Sequence, residues 1–104
     1  MKTLLAGLVA ATALVAGPAL AQNPEDLLKS NACTSCHAVD KKLVGPSYKD
    51  VAAKYRGQKD AEAKLIDKVK KGGAGVWGQV PMPPNAHVKD ADIATMVKYI
   101  LALK

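Results

Sequence analysis

The 104-residue sequence contains no phenylalanine, one tryptophan and three tyrosines. A small domain without that aromatic bulk has a thin core and needs a staple or a bound apolar group. Cysteine is nearly as scarce, with only Cys33 and Cys36 present. A bridge between them would close a tiny loop and add little stability, which weighs against a purely structural pair. A zinc site asks for about four ligands. There is no third cysteine, and His37 and His87 are the only histidines. Acidic residues are few, 9 against 15 basic ones, for a net charge of +6. The basic residues do not form one run, so nucleic acid is not indicated. The excess favours acidic partners or an anionic surface, through contacts that salt weakens. Repeats, low-complexity tracts past the start and domain boundaries are all missing.

The start of the chain reads as an export signal. Met1-Lys2 is a short basic opening, residues 3–15 are apolar and uncharged, and Gly17-Pro18 breaks the run before Ala19-Leu20-Ala21. That order is a secretory signal peptide with an A-x-A cleavage site. The apolar run falls short of the roughly 20 residues of a spanning helix, so stable membrane insertion is not expected. Cleavage after Ala21 removes residues 1–21 and leaves 22–104 as one domain. Loss of Lys2 leaves 14 basic against 9 acidic residues, a net of +5.

Within that domain the most informative stretch is Cys33-Thr34-Ser35-Cys36-His37. Cys-x-x-Cys-His is the attachment pattern of a c-type haem. Each thiol can add to one vinyl group, and the following histidine turns under the ring to meet the iron. Neutral imidazole is a good iron ligand, and its second nitrogen can be held by a hydrogen bond. The rival reading is a thioredoxin-like dithiol, which belongs in a βαβ setting. No strand-like alternation accompanies the motif.

The local signals describe a helical chain. Asn23 is a candidate N-cap, Pro24 suits the first helical position, and Glu25 and Asp26 suit the positive end of the dipole. This helix delivers Cys33, with Leu27 and Leu28 in its core face. A loop over residues 38–45 closes in Gly45-Pro46. Ser47 caps a second helix ending near Tyr55, with Asp50 completing an acidic variant of the capping box. Asp60 is placed to cap a third helix over 61–71, stopped by Gly72-Gly73. Residues 74–88 form a Gly- and Pro-rich loop whose Pro81, Pro83 and Pro84 stiffen the chain. The final helix runs from Lys89 or Asp90 to Leu103. Its Ile93, Met96, Val97, Ile100 and Leu101 recur at the spacing of one buried face.

A second iron ligand has several candidates. Met96 lies on the buried face of the last helix and reads as core. Met82 sits between Pro81 and Pro83, where a rigid loop can press a weak ligand onto a metal. His87 and a lysine are the remaining choices, and a solvated position is the plainer fate of His87. Methionine opposite histidine closes the iron to small molecules and favours Fe(II). An open sixth position would instead suit a peroxidase or a ligand sensor.

Taken together, Cys33-x-x-Cys36-His37, Val44-Gly45-Pro46-Ser47-Tyr48, Gly75-Val76-Trp77-Gly78 and Pro81-Met82-Pro83-Pro84-Asn85 resemble the bacterial class I cytochromes c of the cytochrome c-551/c-552 (cytochrome c8) group. The resemblance covers residues 22–104. It implies an all-α fold of four to five helices around one covalently attached haem c, the first and last helices crossing. It implies that Cys33 and Cys36 hold the porphyrin and that His37 and Met82 are the axial ligands. Pro46 would accept a hydrogen bond from the His37 ring. Trp77 would bond a haem propionate, the alternative being core packing. Asn85 would lie near the Met82 sulfur. Lys68 stands where the family often has an arginine, and would meet a propionate as a point charge without a bidentate fork. The function implied is that of a monomeric periplasmic electron carrier, not an enzyme. Its donor would be a membrane cytochrome complex and its acceptor a terminal oxidase or nitrite reductase.

Overall fold

In the computed structural model, residues 23–104 and Gly7 are described. The signal-peptide reading, residues 1–21, lies outside the described residues. Among the described residues there are four α-helices and one short turn of 3₁₀-helix: α1 (Pro24–Ser30), the turn Cys33–Ser35, α2 (Tyr48–Tyr55), α3 (Ala61–Lys71) and α4 (Asp90–Leu101). Among the described residues there is no strand, only isolated bridges between His37 and Lys42 and between Gly73 and Met82.

Helix α4 is the hub, and each of the other three packs against it. Its Ile93, Met96, Val97 and Ile100 are buried together with Leu27, Leu28, Tyr48, Leu65 and Val88. Ile93 and Val97 are the largest fully enclosed side chains. Each such residue contributes about 1.5–3 kcal/mol through removal of apolar surface from water. Met96 belongs to this core, as its place on the apolar stripe predicts.

Local chemistry sets most helix ends. The Asn23 side chain accepts from the Glu25 N–H at 2.9 Å, which leaves Pro24 in the first turn where its missing N–H costs nothing. Ser47 Oγ accepts from the Asp50 N–H at 3.1 Å. No return bond from the Asp50 carboxylate accompanies it, so the capping box is half made.

Asp60 differs from expectation. It precedes α3 but makes no side-chain cap bond, because its backbone (φ −100°, ψ 10°) is not in the extended region a cap requires. Its carboxylate meets Lys64 instead, at 3.2 Å. The last helix also stops at Leu101, short of Leu103. There Ala102 N–H and Leu103 N–H turn back to the carbonyls of Lys98 and Ile100.

The loop between α3 and α4 is held at its base. Gly72 ends α3 in a positive-φ conformation (70°), with its N–H 2.7 Å from Lys68 O. Gly73 and Met82 then exchange two backbone hydrogen bonds, 3.0 and 2.8 Å long. A side chain at Gly72 would stand 2.4 Å from Met82 O, so only glycine permits this approach. An ion pair between Lys70 and Asp90 joins the two flanking helices just outside.

Candidate functional site

A cavity of about 510 Å³ opens between the Cys33–His37 segment and the 74–83 loop. That is within the size range of small-cofactor sites. Its inner wall is apolar, built from Leu28, Val51, Leu65, Val97 and Ile100. Cys33, Cys36, His37, Pro46, Lys68, Trp77 and Met82 also line it. Asn85 and His87 do not. They border a smaller groove on the far side of Cys33, Cys36 and His37.

The two cysteines reach the cavity because α1 ends one turn earlier. Ala32, in the left-handed region at φ 60°, reverses the chain after Asn31. The turn that follows brings His37 N–H to Cys33 O at 3.0 Å. Both thiols are free and half-buried. Burial pushes the Cys33 thiol up from its ordinary value, and Cys36 adds to the push. A redox-active dithiol needs the opposite shift. Among the described residues, no three His, Cys, Asp or Glu side chains sit close enough to hold a metal ion by themselves. The helical setting and these two facts leave neither a thioredoxin-like site nor a zinc site.

His37 is held in one tautomer. Its Nδ1 lies 2.7 Å from Pro46 O. A carbonyl can only accept, so Nδ1 carries the proton and Nε2 keeps its lone pair for a metal. The loop supplies the approach: Gly45 N–H donates to Cys36 O at 2.7 Å and Tyr48 N–H to Ala38 O at 2.9 Å. Gly45 passes so near the imidazole that a Cβ there would meet His37 Cε1 at 2.5 Å.

Facing the cavity from the other side is Met82, partly buried and registered by its bridge to Gly73. A thioether is the only soft donor on that loop. Lys68 also lines the cavity and has no ion-pair partner among the described residues. Its ammonium reaches the neighbourhood of Gly73. Trp77 is 43% exposed, so it is not core packing. The Lys54 ammonium sits 5.3 Å from its ring centroid, a cation–π contact that spans from α2 to the loop. An unpaired cation and an indole at the cavity wall suit an anionic substituent on an otherwise apolar group.

The amide of Asn85 is engaged elsewhere. Its Nδ2 donates to Val69 O at 3.1 Å and to Pro83 O at 3.2 Å, and its backbone N–H donates to the carbonyls of Val69 and Lys70. These bonds clamp the loop to the end of α3. No bond to the Met82 sulfur accompanies them, so any influence on Met82 runs through the loop backbone. Sequence reasoning passed over Tyr48, which is 4% exposed and stacks on His37 with ring centroids 5.5 Å apart.

The residues present suit a covalently attached haem. The cavity is apolar, carries two free thiols and an imidazole with an available Nε2, and has a soft sulfur donor in its wall. Covalent attachment of an apolar ring by two thioethers suits that set.

The family model described as Cytochrome c matches residues 15–104. The chain is 52% identical to cytochrome c-552 of Nitrosomonas europaea over 105 residues, with 100% of both chains covered. It is 51% identical to cytochrome c-551 of Pseudomonas aeruginosa over 100 residues, 96% of this chain and 95% of that one. The crystal structure of wild-type Nitrosomonas europaea cytochrome c552 superposes with a TM-score of 0.74 at 52% identity, covering 77% of this chain and 99% of the other. The class 1 cytochrome MtoD of Sideroxydans lithotrophicus ES-1 follows at TM-score 0.65 and 40% identity, with 77% and 91% covered. With that fold, that cavity and that kinship, the chain belongs to the class I cytochromes c of the c-551/c-552 type, electron carriers whose cofactor is a covalently attached haem c.

Proposed function

We propose that the chain is exported, cleaved after Ala21, and works in the periplasm as a one-electron shuttle with His37 and Met82 as axial ligands. When bound, the haem iron supplies the reversible one-electron couple; the residues around it decide what else can reach the metal. The observation that carries the reading is the 2.7 Å contact between His37 Nδ1 and Pro46 O, which leaves Nε2 free inside the cavity that Met82 also lines. Two protein ligands exclude oxygen, peroxide and substrates, which suits carriage rather than turnover.

Cys33 and Cys36 provide the two thioether links. Lys68 and Trp77 receive the propionates, the first as a point charge and the second through its indole N–H. Asn85 fixes the loop that presents Met82. The sulfur ligand and the apolar wall both favour Fe(II) and so raise the potential. No described helix is long and apolar enough to cross a membrane. The net positive charge favours docking on acidic faces of larger redox proteins, a membrane cytochrome complex as donor and a terminal oxidase or nitrite reductase as acceptor.

The test uses protein matured with haem-attachment machinery. Its mass should exceed that of residues 22–104 by one haem. The oxidised protein should show the weak methionine-to-iron band near the red edge of the visible spectrum. The reduced protein should not bind carbon monoxide without denaturant. Ready carbon monoxide binding would overturn the assignment of Met82.

A further inference from the structure

Pro46, Ser47 and Tyr48 act on His37 as one unit. The Pro46 carbonyl takes the Nδ1 proton, the Ser47 side chain caps α2, and Tyr48 opens that helix. The cap therefore sets where the Tyr48 ring stands. It stands against the imidazole, with centroids 5.5 Å apart and planes 25° from parallel. That is within the range of offset-stacked rings. Pro46 alone fixes one nitrogen and leaves rotation about the Nδ1–O direction free. A ring on the imidazole face removes that rotation.

The other end of Tyr48 is fixed by the fold. Its backbone N–H donates to Ala38 O at 2.9 Å. Its side chain is 4% exposed and belongs to the core that α4 organises. Its hydroxyl oxygen is enclosed and has no hydrogen-bond partner among the described residues. Packing alone therefore holds the ring against the imidazole.

We propose that Tyr48 is a positioning residue for His37, its buried ring bracing the face of the imidazole. The inference rests on His37 being the iron ligand.

The experiment compares the matured wild type with Tyr48→Phe, Tyr48→Leu and Tyr48→Met. Contact-shifted resonances in the NMR spectrum of the oxidised protein report the orientation of the His37 ring, a readout that simple core packing would not move. Tyr48→Leu should change the pattern of shifted haem methyl signals, and Tyr48→Phe should keep it. If Tyr48→Leu does not mature, Tyr48→Met removes the ring at similar volume. An unchanged pattern without the ring sinks the brace. Absence of contact-shifted His37 signals in the wild type would instead remove the ligand assignment beneath the proposal.

Discussion

The hydroxyl of Tyr99 donates to a carboxylate oxygen of Glu25 across 2.9 Å, joining the last helix to the first. These residues stand 74 positions apart. The hydrogen bond to Glu25 raises the ionisation of Tyr99 above its ordinary value, with a small addition from burial. The folded protein thus prefers the neutral phenol. Its contribution is whole below the ordinary tyrosine pKa of about 10 and disappears as pH climbs through the raised folded value. Urea unfolding from pH 7 to 11 should show wild-type stability falling faster than that of Tyr99→Phe. At pH 7 the substitution should cost only about 0.5–1 kcal/mol, since the bond is exposed. Parallel curves would deny the bond a role.

Met82→Ala should open the iron. The reduced variant should bind carbon monoxide at neutral pH, and the weak red-edge band should vanish from the oxidised spectrum. His87→Ala should leave both properties as in the wild type, because His87 borders the other groove. A wild-type spectrum in Met82→Ala would refute the ligand assignment.

Three glycines should rank clearly. Gly72→Ala forces a Cβ to 2.4 Å from Met82 O at positive φ, so the loop base must open. Gly75→Ala meets nothing within 4 Å and carries only the left-handed penalty of roughly 1–2 kcal/mol. Gly45→Ala places a methyl against His37 Cε1 and should disturb the iron spectrum more than its effect on melting suggests. Thermal melts and visible spectra of the three variants give the order, and equal loss at positions 72 and 75 would contradict it.

Asn85→Ala removes two donors from the clamp on Val69 and Pro83. The cost should be about 1–2 kcal/mol. Because the clamp holds the Met82 loop, the reduced variant should also admit carbon monoxide, which the wild type excludes. Unfolding titrations and flash-mixing measure the two effects. A stability loss without carbon monoxide binding would confine Asn85 to a structural role.

Much of this was legible in the chain because it is encoded within a few residues. Asn23, Ser47 and Gly72 act on neighbours two to four positions away, and the helices begin or end where those residues predict. The attachment motif is equally local. Misreadings arose where a residue had two local options, as with Asp60, which turned to Lys64 rather than to the helix. Contacts between distant residues left no signature. The Asn85 clamp spans 16 positions, and the burial of Tyr48 depends on α4 covering α2. Trp77 could be assigned to core or cofactor from sequence alone; its exposure and its Lys54 neighbour removed the first option.

The paired hydrogen bonds between Gly73 and Met82 turn the residues between them into a closed ring with a fixed clasp. That clasp is made of backbone groups alone, so the side chains on the rim of the ring take no part in it. Val76 and Val80, both well exposed, sit on the rim. Both also line the cavity, so a change of side chain there alters the cavity wall while the backbone clasp keeps Met82 in register.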